Sequence, residues 1–335
     1  MMKKDKKSKE KLKKIFDLRN KIKATSAFLP KQHSDVFLVE VGGQPFAYVT
    51  NAIENTVSFI NTGTKLVEAT VSVGNTPMDI AITPDGAFAY VINAFENTVS
   101  VINTGTRQVV ATVIVGEAPN RIAITPDGSF AYVTNIIDST VSVINTGTKQ
   151  VVATVIVADL PWSVAITPDG AFAYVTNVGE DIVSVINTGT KQVVATVSVG
   201  GHPWSVAITS DGEFAYVTNS LDSTVSVIST GTKQVVVTVS VGSFPWSVAI
   251  TPDRAFAYVT NTNENTVSVI NIGTKQVVAT VSVGNTPLDV AITPDGTFAY
   301  VTNAFEDTVS VINTGIKQVV ATVSVGDNPY GIAIV

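Results

Sequence analysis

The 335-residue chain has no cysteine, which excludes a disulfide framework, a thiolate metal site and a nucleophilic thiol. It has only two histidines, His33 and His202, too few for the usual histidine-rich metal centres. Although 45% of the residues are apolar, no run approaches the roughly 18 consecutive apolar residues that would indicate a membrane span. Phosphate-cradling glycine loops and zinc-ligand spacings are absent, so no cofactor is expected. Negative charge is scarce only at the start. Residues 1–35 carry 12 Lys and Arg against 4 Asp and Glu, whereas the remainder carries 9 against 23. A basic tail therefore precedes an acidic body, and an acidic body is a poor partner for nucleic acid.

The division expected is a tail over 1–35 and one folded body over 36–335. Leu12, Ile15, Phe16 and Ile22 fall near one face if residues 8–23 are helical, with lysines around them. Such a segment suits an anionic surface or an acidic partner, or simply a solvated extension. The basic start is not followed by an apolar core of about 7–15 residues, so no secretory signal is read and a cytoplasmic location is expected.

What is abundant is repetition. Phe46-Ala47-Tyr48-Val49-Thr50-Asn51 returns at Phe88, Phe130, Phe172, Phe214, Phe256 and Phe298, always 42 residues on. Each unit holds four short apolar bursts. In residues 285–326 these are Leu288–Thr293 (A), Phe298–Asn303 (B), Thr308–Ile312 (C) and Gln318–Val325 (D), with Pro-Asp-Gly and Asn-Thr-Gly turns between them. Four antiparallel strands per unit, seven times over, predict an all-β, seven-bladed propeller. The first unit lacks an obvious strand A, and the chain ends in an unpaired one, Pro329 to Val335. The C-terminal strand is thus expected to close blade 1, removing two open edges. The burst Val36–Val41 has no assigned place and competes for that position.

Within strand B, Phe and Tyr face one side and Ala and Val the other. Stacking a bulky face on a small one assigns the tyrosine lattice to packing between blades. The aspartates of the Pro-Asp-Gly turns (85, 127, 169, 211, 253 and 295, the fourth after Ser210 rather than proline) are structural turn residues.

Phe-Ala-Tyr-Val-Thr-Asn, Asn-Thr-Val-Ser-Val-Ile-Asn, Val-Gly-Asn-Thr-Pro and Ile-Thr-Pro-Asp-Gly resemble the YVTN family of β-propeller repeats, similar to the propeller domains of surface-layer proteins. The resemblance spans about residues 36–335 and departs at Ile92, where threonine is expected. It implies a seven-bladed propeller with a cell-surface, structural or adhesive role, and carries no activity.

In a propeller the D–A and B–C connections share one face. There the B–C loops place an acidic ring of Glu54, Glu96, Asp138, Glu180, Asp222, Glu264 and Glu306. The C–D turns place Lys65, Arg107, Lys149, Lys191, Lys233, Lys275 and Lys317 on the other face. Each ring is either a summed field or a set of solvated loop residues. The repeat varies most just after the D–A proline: Met78, Asn120, Trp162, Trp204, Trp246, Leu288 and Tyr330, followed by Asp79, Arg121, Ser163, Ser205, Ser247, Asp289 and Gly331. Three tryptophans on adjacent blades suggest either apolar anchors for a protein or glycan ligand, with His202 beside them, or a plug in the channel. A lactonase-like hydrolase is the competing class. It needs an ionisable cluster at the mouth, for which Asp79, Arg121, His202 and Asp289 are available, spread over four blades. No nucleophile–base–orienter set is visible. The primary expectation is a non-catalytic binding or structural propeller, the alternatives that hydrolase or an architectural envelope subunit.

Overall fold

A computed structural model describes residues 36–41, 44–51, 55–61, 66–306 and 308–324. Among them there is no helix, and the strands form seven four-stranded antiparallel sheets. The chain is a seven-bladed β-propeller. Blades 2 to 7 run Pro77–Ile114, Pro119–Ile156, Pro161–Ser198, Pro203–Ser240, Pro245–Ser282 and Pro287–Ser324. In blade 3, strand A is Pro119–Ile124, B is Phe130–Asn135, C is Thr140–Asn145 and D is Gln150–Ile156; the other blades repeat this at 42-residue steps. Strands A of successive blades lie against one another and strands D barely meet, so A lines the axis and D forms the rim.

Blade 1 departs from the expected closure. Its first strand is Val36–Val41, which pairs antiparallel with Gln44–Asn51 from Val36↔Val49 to Val41↔Gln44. The burst without an assigned place therefore holds the strand A position, the edge on which the C-terminal strand was expected. Only two residues separate the two strands, so the pair is a local hairpin, cheaper in loop entropy than a closure spanning the whole chain. Pro329 to Val335, Tyr330 and the basic tail lie outside the described residues.

The blades stack bulky on small, as the alternation predicts. Tyr132 of blade 3 packs with Ala173 and Val175 of blade 4, and Tyr174 with Ala215 and Val217 of blade 5. Tyr90, Tyr132, Tyr174, Tyr216 and Tyr258 are fully buried. All but Tyr216 donate across the seam: Tyr90 to the Thr146 carbonyl at 3.0 Å, for example, and Tyr174 to that of Thr230 at 3.3 Å. Each such ring contributes about 1.5–3 kcal/mol of burial, whereas Tyr300 of blade 7 is only partly buried.

The lysine ring of the C–D turns is absorbed into the same seams. Lys149, Lys191, Lys233, Lys275 and Lys317 place Nζ 3.9–4.3 Å from the ring centre of a strand B phenylalanine in the preceding blade. These are cation–π staples between blades. Arg107 instead pairs with Glu68 of blade 1 at 2.6 Å. Lys65 lies outside the described residues.

Candidate functional site: the channel mouth

The mouth begins with a kink. The residue before each D–A proline (Thr76, Ala118, Leu160, His202, Phe244, Thr286) has a φ of 52–56°. This left-handed turn delivers the proline to strand A at an angle. A–B pairing then slips: Pro161 pairs with Asn177 and Val164 with Val175, leaving a bulge at Trp162 and Ser163. Bulges of this kind re-aim side chains. Here they turn the two variable positions of each repeat to the axis.

The freed backbone groups are caught by the threonine of strand B. The Ser163 N–H donates to Thr176 Oγ1 at 3.0 Å, and Ser205 and Ser247 do the same to Thr218 and Thr260. The same hydroxyls donate across to the next blade: Thr134 to the Trp162 carbonyl at 3.2 Å, Thr218 to that of Trp246 at 3.0 Å, and Thr260 to that of Leu288 at 3.0 Å. Blade 2 has Ile92 at this position and cannot make the bond. There the Asn120 carbonyl is reached by the Arg121 guanidinium at 3.4 Å, and the Asn120 amide donates to the Trp162 carbonyl at 2.8 Å.

The three tryptophans are brought together but are not a surface patch. Trp162, Trp204 and Trp246 are 9%, 2% and 7% exposed. Trp162 meets Trp204 edge-on with centroids 4.3 Å apart, and Trp204 stacks on Trp246 at 4.5 Å and 17°. Trp204 Nε1 donates to Ser220 Oγ at 2.5 Å, which meets the polar need of its buried indole. Of the two readings of the tryptophans, the plug is the one observed. Rings from adjacent blades pack on one another, which leaves little of any of them exposed. Met78 and Leu288, at the same repeat position in blades 2 and 7, are buried as well.

Above the rings lies a cavity of about 410 Å³, counting its open mouth, lined by Arg121, Ser163, Ser205, Ser247 and Asp289 over Trp162, Trp204 and Trp246. A cation on blade 3 and an anion on blade 7 thus flank three hydroxyls on the blades between. Asp289 accepts a hydrogen bond from Ser247 Oγ at 2.6 Å and from the Val290 N–H at 2.9 Å. Asp79 is buried behind Arg121, and its Oδ2 accepts the Ile122 N–H of the next blade at 2.8 Å. Burial pushes its carboxyl above the ordinary range. Arg121 and the Ile122 and Ile80 amides oppose this, and the charge of Asp289 adds to it. Asp79 thus lies within the fields of both Arg121 and Asp289.

His202 does not join them. It lies in the D–A loop, where its N–H donates to Asp181 Oδ1 at 2.8 Å and its carbonyl accepts from the Ser220 N–H at 3.1 Å. Its left-handed backbone forms the turn into strand A. The three serines, missed as candidates in their own right, were signalled by their place beside the tryptophans in the most variable part of the repeat.

In the acidic ring Glu96, Asp138, Glu180, Asp222, Glu264 and Glu306 are exposed on the loops, and Glu54 lies outside the described residues. Several also fasten the neighbouring D–A loop: Asp138, Glu180 and Asp222 accept the N–H groups of Glu117, Asp159 and Gly201 at 2.7–3.2 Å. The ring is both a charged surface and a set of loop staples. Among the described residues no group of His, Asp and Glu has the arrangement of a metal site.

Three overlapping stretches, residues 33–161, 115–246 and 158–325, match the family model described as "Lactonase, 7-bladed beta-propeller". No curated protein matches the chain. Among solved structures, the chain is similar to the hydrazine synthase of Kuenenia stuttgartiensis, at 25% identity and a TM-score of 0.72, covering 86% of this chain and 97% of that one. It is also similar to a functionally unknown protein from Desulfotomaculum acetoxidans, at 19% identity and a TM-score of 0.74, over 85% and 97% of the two chains. The second likeness concerns the fold alone.

Proposed function

Because the chain belongs to the family of seven-bladed β-propeller lactonases, we propose that its channel mouth is its working site, and that it binds a small, hydroxyl-rich anionic ligand there. One observation carries this reading. Among the positions at which a near-copied repeat varies most, those of blades 3 to 7 contribute residues to one cavity, where they supply a guanidinium, three hydroxyls and a carboxylate above an apolar floor. Concave sites with a few convergent polar groups are the usual form of a small-molecule site. Arg121 suits a carboxylate or phosphate, and Ser163, Ser205 and Ser247 suit hydroxyls. A glycan fits this reading only as a short end group, since the tryptophan faces are spent on one another. The surface-layer-like role implied by the repeat motif would use the exposed acidic loops around the mouth.

The second reading is hydrolysis of a cyclic ester at the same place. It is favoured by the family and by the environment of Asp79, a carboxyl raised by burial beside a guanidinium. Such a pair joins a carboxyl of raised proton affinity to a guanidinium that can stabilise developing negative charge. The fold alone does not grant the activity.

The test uses gluconate and glucono-δ-lactone as probes. Binding of gluconate is followed by intrinsic fluorescence, since the chain's only tryptophans floor the cavity. Binding is expected, with a loss of about tenfold or more in Arg121→Met, the range for a charged hydrogen-bond partner. No spectral change and no heat of binding with either probe would overturn the reading. Acid release from the lactone above the uncatalysed rate, lost in Asp79→Asn with gluconate binding retained, would establish the second reading instead.

A further inference from the structure

The rim carries a second departure from the repeat, independent of what the mouth binds. At the last position of strand D, blades 1, 4, 5, 6 and 7 have serine (Ser72, Ser198, Ser240, Ser282, Ser324), whereas blades 2 and 3 have Ile114 and Ile156. These two are among the most exposed apolar residues described, at 78% and 79%. Strand D of blade 3, Gln150–Ile156, ends its sheet, so its outward backbone edge has no partner strand among the described residues. Gln150-Val-Val-Ala-Thr-Val-Ile156 contains no charge and no proline, two of the devices that blunt an edge, and its one irregularity is the bulge at Val152 that strand D of the other blades also has. Val152, Thr154 and Ile156 share one face of the strand. Thr154 borders a groove between blades 2 and 3 of about 450 Å³, counting space open to solvent, which also includes Val115, Asp138 and Val151.

The charges at the two ends of this strand are opposite. Asp138 and Asp159 stand at its Ile156 end, and Lys149 at its Gln150 end. We infer that this edge pairs antiparallel with the same edge of a second copy of the chain, forming a two-fold dimer through one continuous eight-stranded sheet. Two-fold symmetry makes the contact self-complementary. In a register centred on Ala153, each Val152 lies opposite the partner's Thr154, and each Ile156 opposite the partner's Gln150. The acidic end of each copy then meets the lysine end of the other. A parallel pairing would set acid against acid. The other serine-ended rims lack the apolar lip, and strand D of blade 2 has its basic end, Arg107, paired with the opposite charge of Glu68, whereas Lys149 lies over the uncharged ring of Phe88 and keeps its net charge.

The test is the mass of the full-length protein by light scattering across a dilution series. The dimer is expected, weakening as salt rises. The double variant Val152→Lys/Ile156→Lys is expected to run as a monomer with an unchanged β-sheet spectrum. A matched control, Val236→Lys/Ser240→Lys, alters the same positions of blade 5, where Val236 is as exposed as Val152, and should remain dimeric. A wild-type monomer at every concentration would overturn the inference. So would a dimer that survives the blade 3 variant, or one that both variants abolish equally.

Discussion

Glycine is required in the A–B turns because the chain there is left-handed: Gly86, Gly128, Gly170, Gly212 and Gly296 have φ of 70–75°. Blade 6 has Arg254 instead, at φ 61°. A second change accompanies it. A Cβ on Gly128, Gly170, Gly212 or Gly296 would lie 3.2–3.6 Å from the turn proline of the preceding blade. The preceding turn has Ser210 in place of that proline, its hydroxyl donating to the Pro252 carbonyl at 3.2 Å, and Arg254 reaches back to pair with Asp211. The two substitutions therefore belong together. Ser210→Pro alone is expected to destabilise by about 1 kcal/mol, from lost hydrogen bonding and crowding. Arg254→Gly alone should be near neutral, because relief of about 1 kcal/mol of backbone strain offsets a partly exposed ion pair. The double variant should be more stable than the sum of the two singles by about 0.5 kcal/mol or more, read from urea unfolding. Simple additivity would show that the two sites do not communicate.

At the scale of the element, the strand B threonine joins the bulge in its own blade to the tryptophan carbonyl of the next. Thr218→Val keeps the shape and removes both bonds, leaving the Ser205 N–H and the Trp246 carbonyl without this partner. The expected cost is about 1–3 kcal/mol in urea unfolding, with tryptophan emission shifted to the red as the floor of the mouth loosens. Unchanged stability and emission would mean that the bulge is held by packing alone. The motif Tyr-Val-Thr-Asn was plain in the sequence, but the threonine's two partners were not. One lies 13 residues back across a slipped pairing and the other 28 residues on, in a different blade.

For the whole molecule, the tyrosine lattice fixes behaviour in alkali. Burial pushes the phenols of Tyr48, Tyr90, Tyr132, Tyr174, Tyr216 and Tyr258 up to about 12, from an ordinary value of 10. Between these values the folded protein holds more protons than the unfolded chain, so stability falls as pH rises through the window and is fully present below about 10. Phenolate absorbance of these six is expected to stay silent past pH 10. It should then rise together with loss of the β-sheet spectrum between about 10 and 12. Six phenolates titrating near 10 in an intact sheet would contradict the seam packing.

The sequence by itself determined the period, the four strands of each blade, the turn chemistry and the bulky-on-small stacking. All of these follow from alternation and turn residues within one 42-residue unit. It also marked the variable positions after the D–A proline as the place to look for a site. Only the tertiary structure decided that Val36–Val41 completes blade 1, that Trp204 stacks on Trp246, and that His202 stays in its loop while Arg121 and Asp289 line one cavity. It likewise turned the lysine ring into cation–π staples on phenylalanines one blade back. Each of these depends on how far apart adjacent blades stand at a given radius. That spacing is small at the axis and wide at the rim, and it is set by the closure of seven wedges, not by any local run of residues.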